Sequence, residues 1–406
     1  MKVILKKRWF YLVCAVVILL FMGIGYAFSL FVVPIENDLG FVRSQTSLVF
    51  TLCFICFSLG SFVGGFIVKK MNPQYIMRVV AFVMGGGFLG STFATVPWHL
   101  YLSYSVCCGF SIGLIYNVCV SILPLYFQDK LGLATGILLM GYAMSTTVFG
   151  QLCEYGIAMI SWKGVFTLLG ISAFIVLFVG SFIIHFPTVQ EQEQLPQRTQ
   201  SAENNINYQP YQLLKSPTFY VFVLFYIFMG GIGMSLINHM APAIHEDLAI
   251  STTFTATIVS IVSLFNGLGR VLWGMVFDRK GTSFILKILG GLVSIALCVM
   301  VCGLKMQNLI LFAIGGACVM FCYGGSSSLA PIVIRYLYGN DYFSMNFSIT
   351  NIGTLVLSLY PTFIGAIQTV THHYILGFIV LLGFGIGTLL LSFFYQPIAK
   401  RELPRY

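Results

Sequence analysis

Charge is scarce in this chain: Asp, Glu, Lys and Arg make up only 8% of its 406 residues, where soluble domains carry about 25%. Such a sequence cannot cover a water-facing surface, which excludes a soluble globular domain and leaves an integral membrane protein. The charge that is present is basic, a net +9. It is scattered through short loops rather than gathered on one face, which excludes a nucleic-acid-binding surface. No carboxylate sits in the interior of an apolar run, so the acidic relay of a proton pump is missing. The 11 Cys show no zinc spacing and read as small packing residues within helices. His99, His185, His239, His245, His372 and His373 fall at helix ends or in loops, which argues against a metal centre. No strand precedes the Gly clusters at 85–87, 230–231 and 315–316, so a dinucleotide fingerprint is excluded. No nucleophile–base motif and no soluble domain is present either, so an enzyme is not expected and no cofactor is implied. The first apolar run is too long for a secretory signal and lacks a small-residue cleavage site, so it reads as a retained helix.

What the chain has is apolar length. It is 58% hydrophobic with 38 Phe and 41 Gly, and its mean hydropathy is +0.93. About 20 apolar residues span a bilayer. Twelve such segments occur, at 10–33, 45–68, 75–96, 99–123, 132–154, 163–186, 217–240, 252–277, 283–304, 308–331, 344–366 and 374–396. The one long break, 187–216, is polar and reads as a solvated cytoplasmic linker. The expected fold is therefore an all-α membrane protein of twelve transmembrane helices in two six-helix bundles, 1–186 and 217–406. Of the 21 Lys and Arg, only Arg43, Lys163 and Lys305 fall in loops on one side and Arg270 in neither set. The positive-inside bias puts the rest, and both termini, in the cytoplasm, with the protein in the plasma (inner) membrane.

The two halves repeat. Residues 58–72 lie over 267–281 without a gap, matching Gly60 to Gly269, Gly65 to Gly274 and Lys70 to Arg279. A repeat about an axis normal to the membrane belongs to a rocking transporter. Arg270 falls where the first half has Ser61, so the repeat is broken where a charge is present. About two turns, Val271 to Phe277, separate Arg270 from Asp278, Arg279 and Lys280. A cation at that depth costs roughly 2.5–3.5 kcal/mol by insertion scales and is retained where it faces a cavity or a partner. The adjoining apolar segments hold no carboxylate to pair with it, which points to an anion that comes and goes. A snorkelling structural Arg is the competing explanation, with two turns at the edge of its reach. A guanidinium fork holds a carboxylate bidentately, and Asn266, one turn earlier, shares its helix face.

The loop Gly274-Met-Val-Phe-Asp278-Arg279-Lys280-Gly281 resembles the GxxxDRxG signature of the major facilitator superfamily. Tyr126 to Gly136 is similar to the segment entering the fifth helix of oxalate/formate antiporters and the related monocarboxylate transporters, and residues 23–31 and 266–270 resemble the same branch. The resemblance implies a secondary carrier of small organic anions, with the arginine of the eighth helix on a carboxylate. Arg270 matches that position, and Tyr26, Tyr116 and Tyr323 fall in stretches where aromatic residues line the pocket. Two departures stand out. The oxalate antiporter pattern has a lysine in the eleventh helix where this chain has Thr354, which favours a monocarboxylate over oxalate. The first-half signature has Lys69 at its aspartate position and Asn72 at its glycine position.

The expectation is then alternating-access transport of a small monocarboxylate by exchange or uniport, with Arg270, Asn266, Tyr26, Tyr116, Tyr323 and Thr354 at the substrate. Asn117, Asn351 and Tyr142 are weaker candidates, for which interhelical hydrogen bonds are the competing reading. Asp278, Arg279, Gly274, Gly281, Lys69 and Lys70 read as gating positions at helix ends. The partners are the bilayer, the carboxylate and a counter-anion or proton, and the carrier is expected to work as a monomer. The rival functions are export of hydrophobic drugs, which would not need Arg270, and a transporter-like membrane sensor without flux.

Overall fold

A computed structural model describes residues 2–196 and 207–402, with scattered side chains, Tyr26 among them, outside the described set. In lipid every backbone N–H and C=O must be bonded within the segment, so apolar runs become helices. The described residues contain helices and no strand. In chain order they are α1 Lys2–Met22, α2 Ser29–Leu39, α3 Arg43–Ile67, α4 Pro73–Thr92, α5 Pro97–Leu100, α6 Phe110–Ile122, α7 Leu131–Ala143 and α8 Ser145–Gly180. The linker carries α9 Val189–Gln194 and α10 Pro210–Leu213. The second half holds α11 Pro217–Glu246, α12 Thr252–Lys305, α13 Leu309–Tyr338, α14 Phe343–Leu357, α15 Tyr360–Thr371 and α16 Ile375–Glu402.

Ten continuous helical stretches among the described residues are long and apolar enough to cross a membrane. Two of them, Pro97–Gly150 with 54 residues and Thr257–Lys305 with 49, are far too long for one crossing, so the twelve spans survive. Several boundaries differ from the expected ones. The first span does not end at 33: a 3-10 turn, Gly23–Phe28, leads into α2, which runs to Leu39 and carries Glu36 and Asp38 on its last turns. Asp38 is held there by Lys163 at 2.9 Å and by the Trp162 indole N–H at 3.0 Å. Those two donors pull its carboxyl below the ordinary carboxylate range. The fifth span does not end at 154. Its helix continues to Ser161, where φ of 66° and ψ of 167° break α8, so Glu154 is an exposed helical residue. Asp278, Arg279 and Lys280 are not in a turn either. They complete the helix, which breaks at Gly281 with φ of 74° and ψ of −178°, a conformation only glycine adopts without strain.

The chain divides into two compact units. Unit 1 comprises 1–129, 137–199 and 347–351, and unit 2 comprises 130–136, 200–346 and 352–406. Each unit thus includes a short piece from the other half of the sequence. The internal repeat is visible in the packing: a Cβ at Gly60 would fall on the Phe110 carbonyl, and one at Gly269 on the Phe321 carbonyl. Equivalent glycines bring α3 against α6 in unit 1 and α12 against α13 in unit 2. One thiol pair has CxxC spacing, Cys53 and Cys56, but it lies inside α3 and both thiols are free.

Burial alone does not single out Arg270. Arg8 and Arg270 are both 5% exposed and Arg335 6%. Arg8 and Arg335 sit at helix ends with local partners, however. Arg8 donates to both carboxylate oxygens of Asp129, at 2.6 and 3.1 Å, and lies over the Phe127 ring. Arg335 donates to Asn340 at 3.1 Å and stacks 3.8 Å from the Phe343 centroid. Removing one member of a buried pair leaves the other charge uncompensated, at a cost of about 3–5 kcal/mol. Asp129→Asn is therefore expected to lower the melting temperature of the purified protein clearly, and Arg8→Gln with Asp129→Asn together less than their sum. An unchanged melt for Asp129→Asn would show the pair to be dispensable.

Candidate functional site

Arg270 lies in the first half of α12, in unit 2. Its Nε donates to Asn266 Oδ1, one turn earlier, at 3.4 Å. Both residues are buried, Asn266 at 9% exposure. The backbone around them is held from α13. A Cβ at Gly324 would fall on the Asn266 carbonyl, and Ser328 Oγ donates to the Arg270 carbonyl at 3.2 Å. The contact at Gly324 sets its neighbour Tyr323, 8% exposed, beside the Asn266 turn. The Tyr323 hydroxyl lies within electrostatic reach of the guanidinium. Thr354 is half-buried on α14, next to Gly353, where a Cβ would lie 3.8 Å from the Tyr226 ring of α11, and Tyr226 feels the Arg270 charge. Unit 2 thus gathers four expected residues, Arg270, Asn266, Tyr323 and Thr354, and adds Tyr226. Tyr226 does not stand out in the sequence because it sits in the aromatic run from Phe219 to Phe228. The available signal is its hydroxyl, in the otherwise apolar stretch Val221 to Met234.

Such a group of side chains has a defined chemistry. A guanidinium supplies up to five donors and no acceptor, and the Tyr and Thr hydroxyls each donate once and accept. The group therefore presents positive potential and hydrogen-bond donors, which suit an anion with planar oxygens.

Tyr116, 9% exposed, belongs to unit 1. Its ring lies 5.2 Å from Tyr142, 5.6 Å from Phe57 and 6.2 Å from Phe347, forming an aromatic cluster. Tyr26 is on the 3-10 turn of unit 1 and its side chain is outside the described residues. Asn117 and Asn351 act between helices. Asn117 Nδ2 donates to Ser348 Oγ at 2.9 Å and to Ser61 Oγ at 3.5 Å. Asn351 Nδ2 donates to Ser61 Oγ at 3.0 Å, and Ser348 Oγ donates to the Ser61 carbonyl at 2.9 Å. The position that matches Arg270 in the repeat is thus the hub of a neutral, buried network in unit 1.

The gating residues divide by chemistry. Asp278 accepts from the backbone N–H of Gly132 at 2.8 Å through Oδ1 and from that of Leu133 at 3.0 Å through Oδ2. These are first-turn amides of α7, which have no partner inside their own helix, and a carboxylate there also meets the positive end of the helix dipole. Close approach makes the bond possible: a Cβ at Gly274 would fall on the Gly132 carbonyl, and one at Gly132 on the Gly274 carbonyl. Arg279 and Lys280 are exposed, with Lys280 6.0 Å from the Phe284 ring centroid. In unit 1 Lys69 and Lys70 are exposed just beyond α3. An ammonium has only donors and cannot cap a helix N-terminus, while Asn72 caps α4, its side chain accepting from Gln74 N at 2.9 Å.

The family model of the Major Facilitator Superfamily matches residues 13–359. The oxalate:formate antiporter of Oxalobacter formigenes is 24% identical over 404 residues, covering 98% of this chain and 94% of the antiporter. Mouse monocarboxylate transporter 12 is 23% identical over 296 residues, 66% of this chain and 60% of that protein. Among solved structures, that of the proton:xylose symporter XylE bound to 6-bromo-6-deoxy-D-glucose superposes with a TM-score of 0.77 over 98% of both chains at 13% identity, which is a likeness of fold. This multi-pass chain, with its signature at Gly274 to Gly281 and its twelve spans, belongs to the Major Facilitator Superfamily, and its relatives include oxalate:formate and monocarboxylate transporters.

Proposed function

We propose that the chain is a secondary carrier of a small organic monoanion, moving it across the membrane by alternating access between halves 1–186 and 217–406 joined by the linker 187–216. The observation that carries this reading is the buried Arg270 in mid-span, beside Asn266 and the Tyr323 hydroxyl. Relatives named for carboxylates support the ligand class. Arg270 takes the carboxylate through its fork. Asn266 orients the guanidinium and Tyr323 shapes the wall beside it, while Tyr26 and Tyr116 are assigned to the substrate by the resemblance of their stretches alone. Thr354 leaves the site with one cation, which balances one carboxylate rather than two.

The coupling follows from charge. Closing an apolar cavity around a guanidinium without an anion is costly, and a bound anion removes that cost, so the loaded carrier reorients more readily. Such a scheme favours exchange against a second anion, or uniport. Asp278 holds one conformation by capping α7 and would release it in the other. The carrier works as a monomer in the plasma (inner) membrane with both termini cytoplasmic.

Counterflow in proteoliposomes tests the reading, with formate, lactate, pyruvate or oxalate loaded in turn and labelled uptake followed. Exchange of a monocarboxylate in preference to oxalate is the expected result. Oxalate exchanged best would overturn the one-carboxylate assignment. Flux of bulky hydrophobic compounds with none of any carboxylate would replace the anion reading by drug export.

A further inference from the structure

The segment from Tyr126 to Gly136 ends inside α7. Gly132 and Gly136 are one turn apart on α7, and Arg270 and Gly274 are one turn apart on α12, so each pair shares a helix face. In unit 2 the two faces meet backbone to backbone. A Cβ at Gly132 would fall on the Gly274 carbonyl, and one at Gly136 would fall on the Arg270 carbonyl and lie 3.0 Å from Val271 Cα. The Arg270 carbonyl is therefore met from two sides. Gly136 closes on it from α7, and Ser328 Oγ donates to it from α13 at 3.2 Å. One turn back, the Asn266 carbonyl lies against Gly324, and the Asn266 side chain accepts from Arg270 Nε at 3.4 Å. The residue is thus held at its carbonyl from two helices, and its guanidinium is steered through Nε.

We infer that Gly136 is a positioning residue for the anion: by admitting α7 to the Arg270 carbonyl it aims the guanidinium, and Ser328 completes the socket from α13. The assignment rests on the proposed anion site and adds to it a residue that touches no ligand. A bidentate fork tolerates little misalignment, because both N–H groups must point at the two oxygens of one carboxylate. A side chain at 136 would push either the Arg270 backbone or α7 away, since packed interiors transmit such strain. Either shift turns the fork. Asp278 caps the first turn of this same α7, so the fork is aligned in the capped conformation.

Titration of the purified full-length protein with formate by calorimetry reads the alignment, in a double-mutant cycle of Gly136→Ala with Arg270→Lys. Gly136→Ala alone is expected to weaken formate binding by about tenfold, the loss when one charge-assisted bond of the fork goes out of line. An ammonium on a flexible stem has no fork to aim, so Gly136→Ala added to Arg270→Lys should weaken binding by about threefold or less. Ser328→Ala removes the second hold on the same carbonyl without adding volume. It should weaken binding by about threefold in the Arg270 background and by less in the Lys background, and this cycle decides the matter where Gly136→Ala does not fold. A packing role that does not act through Arg270 would give equal factors in the two backgrounds. Equal factors, or unchanged affinity in the folded single variants, would overturn the positioning role while leaving the carboxylate carrier intact. A wild type that binds no formate and exchanges no carboxylate would overturn both.

Discussion

Arg270→Gln is expected to abolish carboxylate exchange while leaving the protein folded. The variant keeps a polar side chain of similar length beside Asn266, so the local packing of α12 against α13 at Gly324 and Ser328 is retained. It loses the only full positive charge of the group in unit 2 that gathers Asn266, Tyr226, Tyr323 and Thr354. Removing one partner of a buried, hydrogen-bonded charge pair costs about 3–5 kcal/mol, which corresponds to roughly a hundredfold to several thousandfold in binding. Arg270→Lys restores the charge without the fork and should recover a part of the exchange. Counterflow rates for the three proteins, matched for folded protein by thermal melting, check the ordering wild type, Lys, Gln. Normal exchange by the Gln variant would remove Arg270 from the substrate site.

The second large effect belongs to Asp278→Asn. Hydrogen bonds to a charged group contribute about 1.5–3 kcal/mol, and Asp278 accepts such bonds from Gly132 and Leu133. Asn keeps one acceptor oxygen and loses the charge that faces the helix dipole, so the expected loss is about 2 kcal/mol, or roughly thirtyfold in the population of the capped state. Hydrogen exchange followed by mass spectrometry should show protection of the amides at the start of α7 falling by about that factor. Exchange transport should change with it, because the balance between the two conformations shifts. Gly132→Ala attacks the same point from the packing side, since its Cβ would fall on the Gly274 carbonyl. Unchanged protection in both variants would show that the cap does not hold the conformation.

Much of this was readable in one dimension. A bilayer makes apolar length decisive, so spans, repeat and signature were legible from hydropathy and spacing alone. Arg270 was legible for the same reason, since a single cation deep in an apolar run is costly. Partners were harder to read. Nothing in the sequence near Asp278 names Gly132 and Leu133, which are some 145 positions away and meet it only because two glycines let the helices touch. Ser61 was noticed only as the uncharged counterpart of Arg270, yet it is the hub that Asn117, Ser348 and Asn351 bind. Tyr226 stands among neighbouring aromatics, and nothing in the sequence places its ring beside Gly353 of α14 and its phenol within reach of the Arg270 charge. Helix ends were misplaced where the break is a single residue in an unusual conformation, at Ser161 and Gly281.

Equilibrium binding is the most direct test of the central claim, that the Arg270 guanidinium is the anion's anchor. Purified wild type and Arg270→Gln, shown by melting to be equally folded, would be titrated with a short monocarboxylate by calorimetry. The account predicts saturable one-to-one binding to the wild type and none to the variant over the same concentration range. Equal dissociation constants for the two proteins would contradict it.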